Sequence, residues 1–234
     1  GLVGSEMCIR DRSKTGQDAE LALRQFLGPG NPLGALYSDD AGELKHAAHS
    51  VGGLSATATP HIPQTNGLAE NAVRKVKEGT ACVLLQSGLN NVCWDSAMRC
   101  FCFHHNTSDI LAFGRTAYFT RFGLFKGHKV PFGALVQYMP MDDGKVVRDH
   151  PLGSKTRPGL FFGYHTHPGG AWSGDYLIVD CESVQYAANW SSCKPLRYRD
   201  IIVPIHFTFP CASGATSLGR RACRGAVSYT HLRA

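Results

Sequence analysis

Several things are missing from this chain, and each absence narrows the reading. No stretch of its 234 residues reaches the ~18 consecutive apolar positions that a membrane-spanning helix needs. No charged start is followed by an apolar segment, so no secretory signal is read and a secreted protein is not expected. No C-x-x-C pair occurs, and Cys100-x-Cys102 is too close for the usual zinc spacing. Nine cysteines over this length do not make a disulfide framework, so reduced, packed thiols in an intracellular protein are expected. There is no internal repeat and no low-complexity tract. What is present is ordinary globular composition, with 43% apolar residues and 24 Lys+Arg against 18 Asp+Glu. Disorder and collagen-like structure are thereby excluded, and the length suits one large domain or two small ones.

The two ends read differently from the rest. Val227 to Ala234 and residues 4–11 can be encoded by opposite strands of one DNA sequence, and that sequence resembles a transposase-based sequencing adapter. Residues 1–12 and 226–234 are therefore expected to be adapter-like artefact and are set aside from fold reasoning.

Charge divides what remains. Residues 13–120 hold 8 Lys+Arg and 9 Asp+Glu, whereas 121–225 hold 13 and 7. A near-neutral front and a basic rear point to two modules and to a polyanion partner for the second; a generic solubilising surface fits the charge equally.

Residues 17–27 carry apolar residues at 21, 23, 26 and 27, which predicts a short amphipathic helix stopped by Gly28 to Pro32. Leu33 to Tyr37 reads as a buried strand running into Ser38-Asp39-Asp40. A helix is expected over 43–50, and an extended segment from Thr57 to Pro63. Asn66 is placed to cap a long helix over 67–87, with Leu68, Ala72, Val76 and Val83 as its apolar stripe and Gly88 as its stop. A third helix is expected over 93–105, with Trp94, Ala97, Met98, Phe101 and His105. After 124, short apolar runs at 132–138, 160–164, 176–180 and 201–207 alternate with Gly, Pro and Asp, the pattern of a small antiparallel β module.

Asp39 and Glu70 stand out as candidate chemistry. Glu70, Arg74 and Lys77 fall at i, i+4 and i+7 and share one helix face. A carboxylate beside two cations suits a divalent cation next to a phosphate backbone. The same spacing also suits a solvated face with a salt bridge. His104-His105, His165-x-His167 and the cysteines hint only faintly at zinc. Trp172, Tyr176, Arg197 and Arg199 are placed either to stack on and pair with nucleic acid or to pack the rim of a small barrel.

Two longer patterns sharpen this reading. Tyr37-Ser38-Asp39-Asp40-Ala41-Gly42-Glu43, followed by Pro60-His61-Ile62-Pro63-Gln64-Thr65-Asn66-Gly67-Leu68-Ala69-Glu70, resembles the integrase core of Ty1/copia-type retrotransposons. Pro131-Phe132-Gly133, then Gly159-Leu160-Phe161-Phe162-Gly163-Tyr164, resembles the region that follows that core. The resemblance covers about residues 14–210. It implies an α/β fold: a partial RNase H-like core lacking its first strands, followed by a small β-rich module. The implied layout is residues 13–123 for the C-terminal part of the core, 124–210 for the basic β module and 211–225 for a tail.

By the same resemblance, Asp39 and Glu70 match the second and third metal-binding carboxylates of an Asp-Asp-Glu triad. Two Mg²⁺ or Mn²⁺ ions are implied in the complete core, one activating the attacking oxygen and the other stabilising the leaving oxygen. The implied activity is 3′-end processing and DNA strand transfer. DNA, both element ends and target, is the implied partner, with homo-oligomers when complete, no membrane, and a nuclear location or a cytoplasmic particle. Arg74 and Lys77 would grip DNA, and Asn66 with Gly67 would shape the turn that aims Glu70. The triad's first Asp is expected upstream of residue 14. Asp40 stands where Asn is usual, and Asn71 where a basic residue is common. A sheet without its central strands cannot bury its face, so residues 13–225 are expected to be unstable or inactive. A non-catalytic nucleic-acid-binding remnant is the alternative.

Overall fold

The computed structural model describes residues 15–38, 40–57, 67–111, 114–142, 145–146, 152–186, 190 and 193–212. The fold is mixed α/β, with contacts that fall into two compact units. The first takes Gly1–Gly79, Phe101–Lys126 and His165–Gly174; the second takes Thr80–Cys100, Gly127–Tyr164 and Asp175–Ala234.

In the first unit, helix α1 spans Gly16–Leu27. Thr15 caps its start: Oγ1 accepts from the Asp18 amide at 3.2 Å and donates to the Asp18 carboxylate at 2.8 Å. Asp18 is thus used locally, as its position in a first turn implies. Strand β1 (Ala35–Ser38) leads to helix α2 (Gly42–Ser50), which packs on α1 through Ala47 and Ala48, both fully buried. Strand β2 (Leu54–Thr57) then pairs in parallel with β1, Ser38 opposite Thr57.

The expectation of a buried strand ending at Asp39 fails at β1. Tyr37 is 52% exposed and Leu54 on β2 is 71% exposed. The reason is the sheet itself: among the described residues it has two strands, and two strands cannot cover their own faces.

Helix α3 spans Gly67–Ser87. Val76, Thr80, Leu84 and Ser87 form its buried side, the helical repeat expected of an amphipathic element. Ala72 and Val83 from the predicted stripe are half-buried, and the side chain of Leu68 lies outside the described ones. Gly88 ends the helix at φ 67°, its amide donating to the Leu84 carbonyl at 3.0 Å. A side chain there would also collide with the backbone of Cys211 and Ala212, so the stop needs glycine on two counts. A 3₁₀ turn, Asn91–Cys93, introduces helix α4 (Trp94–Ser108), whose buried side is Ala97, Cys100, Phe103 and Thr107. Trp94, expected on the apolar face, is instead exposed at the first turn.

Helix α5 (Ala117–Phe122) completes the first unit. Arg121 donates from Nη2 to the carbonyls of Phe26 and Leu27 at 3.3 and 2.7 Å, so a cation closes the C-terminal end of α1. The loop 167–171 belongs to the same unit: the Gly169 amide donates to the Gln25 carbonyl at 2.8 Å, and Trp172 stacks edge-on to Phe125 at 5.1 Å.

The second unit holds strands β3 (Leu135–Tyr138), β4 (Met141–Asp142) and β5 (Lys145–Val146). Strands β6 (Arg157–Thr166) and β7 (Trp172–Asp180), the short helix α6 (Cys181–Tyr186), and strands β8 (Leu196–Tyr198) and β9 (Ile201–Ile202) follow. Five strands form one sheet in the order β8-β7-β6-β3-β9, and β4 pairs with β5. Strand β3 pairs antiparallel with β6 and with β9, and β7 with β8, as the alternating runs predicted.

The two late sequence patterns meet here. The Gly133 amide donates to the Phe161 carbonyl at 2.7 Å, the Phe161 amide to the Ala134 carbonyl at 2.9 Å, and Phe132 lies 5.1 Å from the Phe162 ring. Leu160, Phe161 and Phe162 are buried, each side chain contributing about 1.5–3 kcal/mol by leaving water. The Tyr164 hydroxyl accepts from the Val130 amide at 3.1 Å and donates to the His128 carbonyl at 2.9 Å, fastening the segment before β3.

Candidate functional site

Helix α3 presents Glu70, Arg74 and Lys77 together on an exposed face. They line one shallow groove with Ala69, Val73 and Glu78. Glu70 lies in the first turn, where the free amides of a helix start favour a carboxylate. Arg74 turns away from it: Nη2 donates to the Asn71 side-chain oxygen at 2.8 Å, and Nη1 lies 3.6 Å from the Glu78 carboxylate. The salt bridge that the spacing offered between Glu70 and Arg74 is thus replaced by one a turn further on. Asn71, at a position where a basic residue was expected, serves as the acceptor for Arg74. The groove is lined by two carboxylates and two cations beside the apolar Ala69 and Val73.

Asp39 and Asn66 lie outside the described residues. Their neighbours bracket them: β1 ends at Ser38, and α3 begins at Gly67. Asp40 forms an ion pair with Lys45 of α2, so its carboxylate is answered within the fold rather than left as excess charge beside Asp39.

Arg197 lies in β8, the edge strand of the second unit's sheet, and Arg199 in the bend just after it; between them the Tyr198 ring lies 4.3 Å from that of Tyr138. Arg199 Nε lies 3.3 Å from Asp175 Oδ1, while Arg197, opposite Leu177, is exposed.

The aromatic candidates resolve to packing. Tyr176 is 3% exposed and its hydroxyl accepts from the His128 amide at 2.9 Å, so its face is not open to a base. Trp172 is half-buried against Phe125. The histidine pairs are engaged locally: His165 Nδ1 lies 2.8 Å from Ser173 Oγ, and the His165 and His167 rings meet edge to face at 6.0 Å. Among the described residues no group of three or more His, Cys, Asp or Glu is arranged to hold a metal ion. No described helix is long and apolar enough to cross a membrane.

One constellation escaped the sequence reading. His105 and Asp109 are an i,i+4 pair that could be found by spacing, but Lys75, thirty positions earlier on α3, joins them through tertiary packing.

The chain is similar to a solved structure of the simian T-cell lymphotropic virus intasome in complex with PP2A regulatory subunit B56 gamma. The identity is 15% and the TM-score 0.40, with 84% of this chain and 67% of that chain covered. No protein-family model matches the chain, and no curated protein matches it.

Proposed function

We propose that this chain is the integrase region of a retrotransposon polyprotein, of the Ty1/copia type, with an RNase H-like core that cuts and joins DNA strands. The observation that carries the proposal is the run Pro60 to Glu70, which matches every fixed position of the integrase pattern and leads straight into the exposed first turn of α3. Strand β1 leading into Asp39, in parallel with β2, is consistent with such a core.

In this reading Asp39 and Glu70 are two of three carboxylates that hold Mg²⁺ or Mn²⁺. Their hard oxygens are the right donor chemistry for such ions, which when bound activate a water or a 3′-hydroxyl and stabilise the leaving oxygen. The protein's own part is positional. Glu70 is fixed by its place at the helix start. Arg74, already oriented by Asn71 and Glu78, and Lys77 supply phosphate contacts along the same face. Arg197 and Arg199 extend phosphate contacts on the β module. DNA is the partner, and the nucleus the place of action.

The alternative is a non-catalytic nucleic-acid-binding remnant.

The test extends the reading frame upstream of residue 14 and assays the extended protein for Mg²⁺-dependent strand transfer. A frame that opens into a strand-like run ending in Asp, with joining that falls on the order of 100-fold or more in Glu70→Gln, supports the integrase. A broken frame, together with DNA binding that weakens steeply between about 50 and about 200 mM salt, supports the remnant. Residues 13–225 alone should join no DNA; measurable strand transfer by them would sink the partial-core reading.

A further inference from the structure

We propose that helix α5, with the residues flanking it, forms a surface that binds single-stranded nucleic acid by ring stacking and phosphate pairing. On a helix, positions three apart share a face. Tyr118 and Arg121 take the inner face of α5. Tyr118 is buried, its ring 5.6 Å from that of Phe103 and 5.8 Å from that of Phe125, and Arg121 is tied to the carbonyls that end α1. Phe119 and Phe122 take the outer face together, 39% and 37% exposed. A β-bridge from Ile110 to Thr116 sets the exposed Ile110 beside the start of the helix, and the exposed Leu124 follows its end. Apolar side chains exposed singly are ordinary, but several gathered around one short helix mark a binding surface.

Charge names the occupant. From Ile110 to Lys126 the sequence has three Lys and Arg residues and no Asp or Glu. Arg115 and Lys126 are exposed. The Arg115 guanidinium lies over the Phe119 ring at 5.4 Å, and that of Arg121 over the Phe122 ring at 5.3 Å. Arg121, bonded to α1, holds Phe122 in place, whereas Arg115 faces solvent. A flat ring with a solvent-facing cation beside it offers a base its stacking partner and the adjoining phosphate its charge. A duplex hides its base faces in its own stack, so these rings serve a single strand, whose bases are free to splay out. An apolar protein partner would make no use of the excess positive charge. The surface is separate from the α3 groove and goes beyond the integrase reading; a remnant would carry it equally.

Fluorescence anisotropy on the 234-residue chain tests it, with a labelled oligo-dT of about 12 nucleotides and the matching dT·dA duplex. Phe119→Leu keeps the apolar bulk and removes the ring face. It should weaken oligo-dT binding on the order of 10-fold and leave duplex binding unchanged. Arg115→Gln should flatten the fall of log affinity with log salt by about 0.7 for the single strand, the share of one phosphate contact. In the unsubstituted chain, where no variant has to fold, a photoreactive bromodeoxyuridine in the oligonucleotide should crosslink within residues 115–126. Crosslinks confined to α3 or β8 would overturn the proposal. Oligo-dT affinity equal in Phe119→Leu and the parent chain would overturn it too, and would leave the surface to a protein partner. Failure of the upstream-extended protein to join DNA bears on the integrase reading alone.

Discussion

At Gly79 two local rules give opposite answers. Alanine is favoured over glycine inside a helix by about 1 kcal/mol. Here, however, a Cβ would come within 2.1–2.6 Å of the tip of the Phe101 ring. Gly79→Ala should therefore destabilise the protein, by about 1–3 kcal/mol as overpacking does, seen as a lower urea midpoint. The cysteines invite a chemical prediction at the same scale. Burial pushes the thiols of Cys93 and Cys181 up to about 12, with neighbouring thiols adding to the effect at Cys93 and Asp180 and Cys211 at Cys181. They stay protonated at neutral pH, and only the thiolate reacts. Cys82 is exposed on α3. Iodoacetamide at pH 8 should modify Cys82 first and the other two on the order of 100-fold more slowly, which peptide mass spectrometry resolves.

Among the elements, helices were more legible than strands. The period of apolar residues marked α1 to α4 to within a few positions, because a helix writes its buried face into its own sequence. Strand β1 was misjudged because an apolar run says nothing about how many strands will flank it. The end of α1 shows a related limit. Gly28 to Pro32 signalled the stop, but Arg121 that caps it comes from ninety-four residues later. Its guanidinium also lies over the Phe26 and Phe122 rings, at 5.6 and 5.3 Å. Arg121→Ala should cost about 1–2 kcal/mol, since two carbonyls lose a charged donor at a negative helix end. Arg121→Lys should recover part of it, as a point charge without the fork. Hydrogen exchange at the last turn of α1 should quicken in both, and more in the alanine variant.

For the molecule as a whole, each compact unit draws on several separate stretches of chain. The first unit uses His165–Gly174, and the second uses Thr80–Cys100. Cutting between 123 and 124 takes from the first the Gly169 bond to Gln25 and the Trp172 amide's bond to the Tyr118 hydroxyl at 3.2 Å, and from the second the Gly88 contact with Cys211 and Ala212. Neither half should protect its amides as the same residues are protected in the whole chain, which comparative hydrogen exchange measures. Alkali probes the core of the second unit. Thiols whose folded values are raised hold their protons more tightly when folded than when unfolded. The stability they contribute is intact below pH 9.0, where the unfolded thiol ionises, and is lost as pH climbs towards about 12. Burial raises the phenols of Tyr138, Tyr164 and Tyr176 as well, and these act in the same direction. The urea midpoint should therefore hold up to about pH 9.0 and fall as pH rises beyond it.

What the sequence determined by itself is whatever repeats along the chain or stands in a contiguous pattern: the helical faces, the antiparallel character of the rear strands, and the run from Pro60 to Glu70 on which the integrase reading rests. It also placed Glu70, Arg74 and Lys77 on one face, since helix geometry alone requires that. What only the tertiary structure decided is which partner each side chain takes. Arg74 goes to Asn71 and Glu78, Asp40 to Lys45, Tyr176 into the core, and Lys75 to a histidine thirty residues away. Periodicity is a property of one element, and pairing is a property of two. A donor's choice among acceptors depends on distances that appear only once the elements have packed.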